Sequence, residues 1–300
     1  MLKSYVERFL LSRASSGVAE RTISWYRYQL MLYLHWLEDH EGAQWNGIET
    51  IECFLVAEQQ RGHKQSTVHA RYRALKAWFT WLLRREIIGR SPMTNLQAPR
   101  LNQEPVPYVR LVEYEQLQRS IEGNSWIDQR DHLILHLLFW CGLRVSELVA
   151  LHLDHIDLGA HLLTVQRGKG GKGRVIPCGA DVGPLLLAYL MARPQAPAGL
   201  VLIGSDGGGG FRHALTVAGV AQMIERRCKS AKMRHLSPHK FRHGYAMAFL
   251  NAGMEMSAVS KTMGHSNQSV TADFYAKWLT SGLSRQYDET RSRLLSTLTR

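Results

Sequence analysis

The chain has no run of about eighteen apolar residues, so no segment of it is expected to cross a membrane. Residues 1–10 carry Lys3, Glu7 and Arg8 inside an amphipathic pattern, which is not how a secretory signal peptide reads. Cysteine is sparse. Cys53, Cys141, Cys178 and Cys228 are the four in 300 residues, and no C-x-x-C pair exists. That spacing argues against a disulfide framework or a zinc ribbon and fits a reducing cytoplasm. The 14 histidines include no H-E-x-x-H, and the helical pair His239 and His243 has no acidic third ligand nearby, so no metal is expected. No G-K-[ST] follows a glycine loop, which excludes an ATP site of the P-loop kind. Asp128, Asp131, Asp154 and Asp157 fall on no recognisable three-carboxylate framework, which speaks against a metal-dependent transposase. Neither a metal nor an ATP site is therefore expected.

Acidic residues are also in deficit. There are 25 Asp and Glu against 37 Lys and Arg, a net charge of +12. Each phosphate that such a surface neutralises releases condensed counterions, so a polyanionic partner is favoured. The alternative at this point is a merely basic globular protein.

The first hundred residues read as helices. Leu2, Tyr5, Val6, Phe9 and Leu10 lie at helical spacing, and Ile23, Tyr26, Leu30, Tyr33, Leu34 and Leu37 form one stripe over 20–40. A third helix covers about 50–60. A fourth is expected to start at a Ser66–Thr67 cap and to bury Val68, Tyr72, Leu75, Phe79 and Leu82. Its other face shows His69, Arg71, Arg73 and Lys76, and the last three are candidates for DNA contact. Pro92, Pro99, Pro105 and Pro107 then crowd a stretch with little periodicity. The boundaries are set at 1–98 for a helical domain, 99–109 for a linker and 110–300 for a second domain. In the latter, helices are expected over 111–122, 131–141 and 144–151. A hairpin of 162–165 with 174–176 follows, around a glycine- and lysine-rich turn. The remainder reads as mainly helical, broken by a loop at 206–210. The same turn spells G-x-G-x-x-G through Gly168, Gly170 and Gly173, but that fingerprint should open a helix and a strand follows instead.

Four separate segments carry chemistry: Cys141-Gly-Leu-Arg-Val-Ser-Glu-Leu148, the Lys169 turn, Ser237-Pro-His-Lys-Phe-Arg-His243, and Gly264-His265 followed by Tyr275. In this order they resemble the catalytic domain of tyrosine recombinases, the family of phage-type integrases and Xer-like resolving enzymes. The resemblance spans about residues 111–283. It implies a mainly α fold with a small antiparallel β-sheet, a helical N-terminal core-binding domain and a tyrosine-recombinase catalytic domain. It implies cleavage and rejoining of DNA through a 3′-phosphotyrosyl intermediate on Tyr275, without metal or ATP.

The remaining roles follow from the same resemblance. Arg144 and Arg242 would offer planar forks of donors to the non-bridging oxygens of a phosphate. His239 would reach that phosphate or buffer the tyrosine proton, and His265 would donate to it. Lys169 would protonate the departing 5′ oxygen, with Lys172 a neighbouring DNA contact that could take over the role if the turn is displaced. Glu147 would support the fold around Arg144, and His243 is read as a structural partner. The resemblance implies as partner a double-stranded DNA recombination site, which would be gripped between the two domains by four identical subunits acting on two sites. Leu283, Tyr287, Leu294 and Leu298 form a late apolar stripe that, by resemblance, docks a C-terminal helix on a neighbouring subunit; folding back on its own domain is the alternative. An inactive DNA-binding relative remains the rival reading.

Overall fold

The structure is a computed structural model that describes residues 1–101, 107–166, 173–206 and 210–264. Two compact units divide the chain, Met1–Glu104 and Pro105–Arg300. Among the described residues no helix is long and apolar enough to cross a membrane.

The first unit is built from α1 (Leu2–Ser15), α2 (Glu20–Glu38), α3 (Ile48–Gln60) and α4 (Gln65–Arg84). Each helix turns the apolar stripe of its sequence inward. Val6, Phe9, Ile23, Leu30, Tyr33, Ile51 and Phe54 are buried, as are all five residues expected of α4. Aromatic rings fill much of this core. Tyr33 meets Phe54 edge-on at 5.1 Å, and Trp45 stacks on Phe79 at 5.9 Å. α4 starts slightly earlier than its Ser-Thr pair suggested. The chain turns at Gly62 with φ 80° and Lys64 becomes the N-cap, so Ser66 and Thr67 lie inside the first turn. The proline-rich stretch begins folded. Met93 and Leu96 are buried, and the Tyr72 hydroxyl donates to the Leu96 carbonyl at 3.1 Å.

One expectation for α4 is corrected. Arg71 is only 4% exposed, not outward with Arg73 and Lys76. Its Nε donates to Glu58 Oε2 at 2.8 Å, and Nη1 donates to Gln29 Oε1. Buried charges need partners, and this guanidinium has two on neighbouring helices. Arg73 and Lys76 are exposed. Arg71→Ala should therefore cost about 1–2 kcal/mol of stability in urea unfolding, because Gln29 and Glu58 Oε2 each lose a buried donor while Glu58 keeps the partly exposed Arg61 on its other oxygen. Replacing Arg73 and Lys76 with Ala together should leave stability unchanged but flatten the salt dependence of DNA binding by up to about two units. An unchanged slope would make that face merely solvated.

The second unit is organised around α6 (Trp126–Trp140), which packs against α5 (Leu111–Arg119), α7 (Val145–Val149), α8 (Val182–Ala192) and α10 (Pro238–Asn251). Leu133, Ile134, Leu135, Leu137, Leu138 and Phe139 are each 1% exposed or less, so the second half of α6 is enclosed by the core. It begins before the expected Asp131 because Ser125 and Asp128 close a capping box. Arg130 and Asp131, buried in its second turn, are paired to each other, and Asp131 also accepts from Arg227 at 2.9 Å. Arg227 lies on α9 (Val217–Ser230).

Strands β1 (Ile156–Asp157), β2 (Leu162–Val165) and β3 (Arg174–Pro177) form an antiparallel sheet in that order, with Leu163 opposite Ile176 and Val165 opposite Arg174. A second hairpin, β4 (Ile203–Ser205) with β5 (Phe211–Ala214), surrounds the stretch read as a helix-breaking loop. α11 (Met256–Met263) packs on α10 and on β3. The expected C-terminal helix, from residue 283, lies outside the described residues.

Candidate active site

α6 ends at Trp140, and the chain then reverses through Gly142, whose φ is +59°. A Cβ at this position would sit 2.6 Å from the Tyr245 ring of α10. Only glycine lets the loop lie this close, which gives G-L-R its first letter a physical reason. Arg144 follows as the N-cap of α7. Its backbone N–H donates to Glu147 Oε2 at 2.8 Å, and its Nη1 donates to Glu147 Oε1 at 2.8 Å. The carboxylate thus fixes both ends of the same arginine.

α10 starts with Ser237 as N-cap and Pro238 in its first turn, so His239, Arg242 and His243 fall on one face. Arg242 is 2% exposed. Its Nη1 donates to the Gly142 carbonyl and its Nη2 to the Met263 carbonyl. His243 is buried, and its ring meets that of His239 edge-on at 4.4 Å, so it buttresses the imidazole. Burial pushes the pKa of His239 down, and the charges of Arg242 and Arg144 push it further the same way. The imidazole is therefore neutral at pH 7 and able to exchange a proton.

The end of α11 closes the arrangement. Gly264 caps the helix with φ 64°, the left-handed conformation that glycine adopts without strain. The Thr262 carbonyl accepts from Arg174 Nε at 2.6 Å, the Met263 carbonyl from Arg242, and the Gly264 carbonyl from Arg144 Nη2 at 3.0 Å. Three consecutive carbonyls at a helix C-terminus, the negative end of its dipole, thus take one arginine each. Arg174 also grips Glu147 with Nη1 on Oε1 and Nη2 on Oε2, both at 2.8 Å. Burial alone would raise the Glu147 pKa, but the hydrogen bonds from Arg174 and Arg144 prevail and hold it at about 2. The carboxylate is ionised at any working pH.

Of the residues singled out in the sequence, the structure brings Arg144, His239 and Arg242 together. Lys169, Lys172, His265 and Tyr275 lie outside the described residues. Arg73 and Lys76 belong to the first unit. Arg174 was read only as the start of a strand. The signal for it was present, because Arg174 shares a face of β3 with Ile176, which is 1% exposed. A charge on the same side as a core residue needs a buried partner, and here that partner is Glu147. Among the described residues no group of three or more His, Cys, Asp and Glu side chains could hold a metal ion. Chemically, the arrangement sets a neutral imidazole within reach of the charges of two guanidinium groups, Arg144 and Arg242. Two of the five N–H donors of Arg144 are spent within the described residues, and its side chain is 36% exposed, so it can reach an anion.

Known proteins share this plan. Residues 108–280 match the phage integrase family, and residues 3–86 match the phage integrase N-terminal SAM-like domain. The tyrosine recombinase XerC of Pseudomonas aeruginosa is 30% identical over 270 residues, covering 86% of this chain and 85% of that protein. The tyrosine recombinase XerD of Ralstonia nicotianae is 29% identical over 263 residues, covering 85% and 83%. Among solved structures, XerH site-specific recombinase bound to palindromic difH substrate as a post-cleavage complex aligns with a TM-score of 0.77 at 17% identity, over 93% of this chain and 94% of that one. A lambda integrase dimer bound to a COC′ core site aligns with a TM-score of 0.69 at 18% identity, over 90% and 96%. At these identities the solved structures bear on the fold, while the family match and the XerC relationship span most of the sequence. The chain belongs to the phage integrase family and is a tyrosine site-specific recombinase acting on DNA.

Proposed function

We propose that this recombinase cuts one DNA strand by attack of the Tyr275 hydroxyl on a backbone phosphate, conserves the bond energy as a 3′-phosphotyrosyl ester, and releases a 5′ hydroxyl that later reverses the reaction on a new partner strand. Tyr275 supplies the nucleophile, and Lys169 protonates the departing 5′ oxygen. Arg144, Arg242, His239 and His265 stabilise the charge that gathers on the phosphate oxygens. Neither metal nor ATP is needed, because the ester itself stores the energy for ligation. The substrate is a pair of short duplex recombination sites, held by four copies of the chain, with Arg73, Lys76 and Lys172 among the phosphate contacts. Residues 1–98 and 110–300 serve as the core-binding and catalytic domains, and the apolar stripe from Leu283 onward ties one subunit to the next. Such an enzyme works in the cytoplasm of a bacterium, on the chromosome or on a mobile element.

One observation carries this reading. The guanidinium groups of Arg144 and Arg242 are held on adjacent main-chain carbonyls, with the neutral imidazole of His239 beside them. With Arg174 there are three guanidinium groups for one carboxylate, Glu147, and the excess positive charge favours an anionic ligand. The test is a nicked suicide duplex, selected by binding from a random pool and incubated with the protein in excess EDTA without nucleotide. A denaturation-resistant complex that carries the label of the 5′-side fragment is expected. A protein that cleaves only after magnesium is restored would overturn the metal-free mechanism.

A further inference from the structure

Arg174 stands outside the set of residues assigned to the chemistry, yet it is the most heavily committed side chain in the site. Three of its nitrogens are used: Nη1 and Nη2 on the two oxygens of Glu147, and Nε on the Thr262 carbonyl. Its side chain is 14% exposed. A Cβ at Gly264 would lie 3.0 Å from its Cδ and 3.1 Å from its Nε, so the cap of α11 is packed directly under the guanidinium. Glu147 in turn holds both the backbone N–H and the Nη1 of Arg144. One carboxylate thus joins two arginines from different elements, α7 and β3. The same two arginines reach the end of a third element, α11, at Thr262 and Gly264.

We propose that Arg174 is a positioning residue for strand cleavage, which orients Arg144 through Glu147 while locking the C-terminus of α11 to β3. The proposal rests on the assignment of Arg144 to the reacting phosphate. The physical content is geometric. A bidentate fork on a carboxylate fixes the plane of that carboxylate. The plane of the Glu147 carboxylate sets where its remaining acceptor positions lie, and so where Arg144 Nη1 is held. The donors of Arg144 left for substrate are aimed as a consequence. Misaiming a transition-state donor by a fraction of an ångström costs rate and not ground-state affinity. A lysine at position 174 would keep the charge, but a single ammonium cannot close a fork on Glu147 and also reach the Thr262 carbonyl along the same path. Phosphate contact by Arg174 itself is the competing role. It would show as lost DNA affinity and a shallower salt slope.

The experiment compares wild type, Arg174→Ala, Arg174→Lys, Glu147→Ala and the double variant Arg174→Ala with Glu147→Ala. For each, DNA affinity, its salt slope, thermal stability and the single-turnover cleavage rate at saturating protein are measured on a suicide duplex. Arg174→Ala should slow cleavage by about thirtyfold while affinity stays within about threefold and the salt slope does not move. Arg174→Lys should recover no more than about threefold of that loss. In the Glu147→Ala background, the same Arg174→Ala change should cost clearly less than in wild type, about tenfold or less, because only the link to the Thr262 carbonyl is left to lose. If Arg174→Ala proves too unstable to assay, Arg174→Lys and the cycle built on it carry the same comparison. Wild-type cleavage by either variant at saturation, a loss confined to affinity, or full multiplicative loss in the double variant each overturns the proposal. A wild-type protein that forms no covalent complex would instead sink the assignment of the site.

Discussion

Tyr275→Phe protein should bind its recombination site as tightly as wild type and form no covalent complex with it. The substitution removes one oxygen and leaves the aromatic ring. What is lost is the oxygen proposed to bond to phosphorus. A phenol with a pKa near about 10 is a poor nucleophile at neutral pH unless its anion is stabilised. Arg144, Arg174 and Arg242 gather positive charge around the end of α11, and Tyr275 follows its cap, Gly264, by eleven residues in the sequence. Removing the nucleophile should lower cleavage by about ten-thousandfold or more, below detection in a gel assay. The measurement is a suicide duplex labelled on its 5′-side fragment and resolved under denaturing conditions. A persistent protein–DNA band from Tyr275→Phe would pass the role to another tyrosine, with Tyr287 the first to examine.

Much of the architecture was legible because binary patterning and special residues agree. In α4, Val68, Tyr72, Leu75, Phe79 and Leu82 fall at helical spacing, and all five are buried. The β2–β3 hairpin was marked by two β-branched runs around a turn too rich in glycine to continue a helix. The second hairpin was not legible. β4 and β5 have three and four residues, too few for an alternation to stand out, and β4 itself contains Gly204. Arg71 shows a different limit. Its place opposite the apolar stripe suggested solvent, but helices pack on more than one side, and α2 and α3 bring Gln29 and Glu58 to that face. Helical periodicity reports where apolar residues point, not which neighbour covers the polar flank.

The site divides in the same way. Arg144 could be picked out in sequence because a charge beside an apolar run is costly without a purpose, while His239 and Arg242 stood out through the family-like order of their motifs. The glycines have a reason that the sequence alone did not state: Gly142 lies against Tyr245, and Gly264 against Arg174. Arg174 escaped notice because a single arginine at the start of a strand looks like an ordinary edge charge. Its meaning depends on Glu147, twenty-seven positions away, and on the carbonyl of Thr262, eighty-eight away. Contacts of that range come from the fold and not from local spacing.

The division of labour between the arginines and the proposed acid can be separated chemically, and the structure says which arginine to use. Arg242 is a poor probe, because it is 2% exposed and ties the Gly142 carbonyl to that of Met263, so its loss would disturb the fold itself. Arg144 is better. When Arg144 is replaced by alanine, Glu147 still accepts two hydrogen bonds at 2.8 Å from Arg174 and is not left as an unpaired buried charge. Arg144→Ala should therefore fold and bind DNA, yet cleave about a thousandfold more slowly, since it lacks a charged donor to the transition state. Lys169→Ala should also cleave ordinary DNA slowly, by about a hundredfold or more, for want of a proton on the leaving 5′ oxygen. Sulfur in the 5′ bridging position changes the comparison. A thiolate leaves without protonation, so a substrate carrying it no longer needs the acid but still develops charge on its non-bridging oxygens. On that substrate Lys169→Ala should approach the wild-type rate, while Arg144→Ala should stay as slow as before. Rescue of both variants would mean that Arg144 serves the leaving group. Rescue of neither would take the acid away from Lys169, and Lys172→Ala on the same pair of substrates would then be the variant to read.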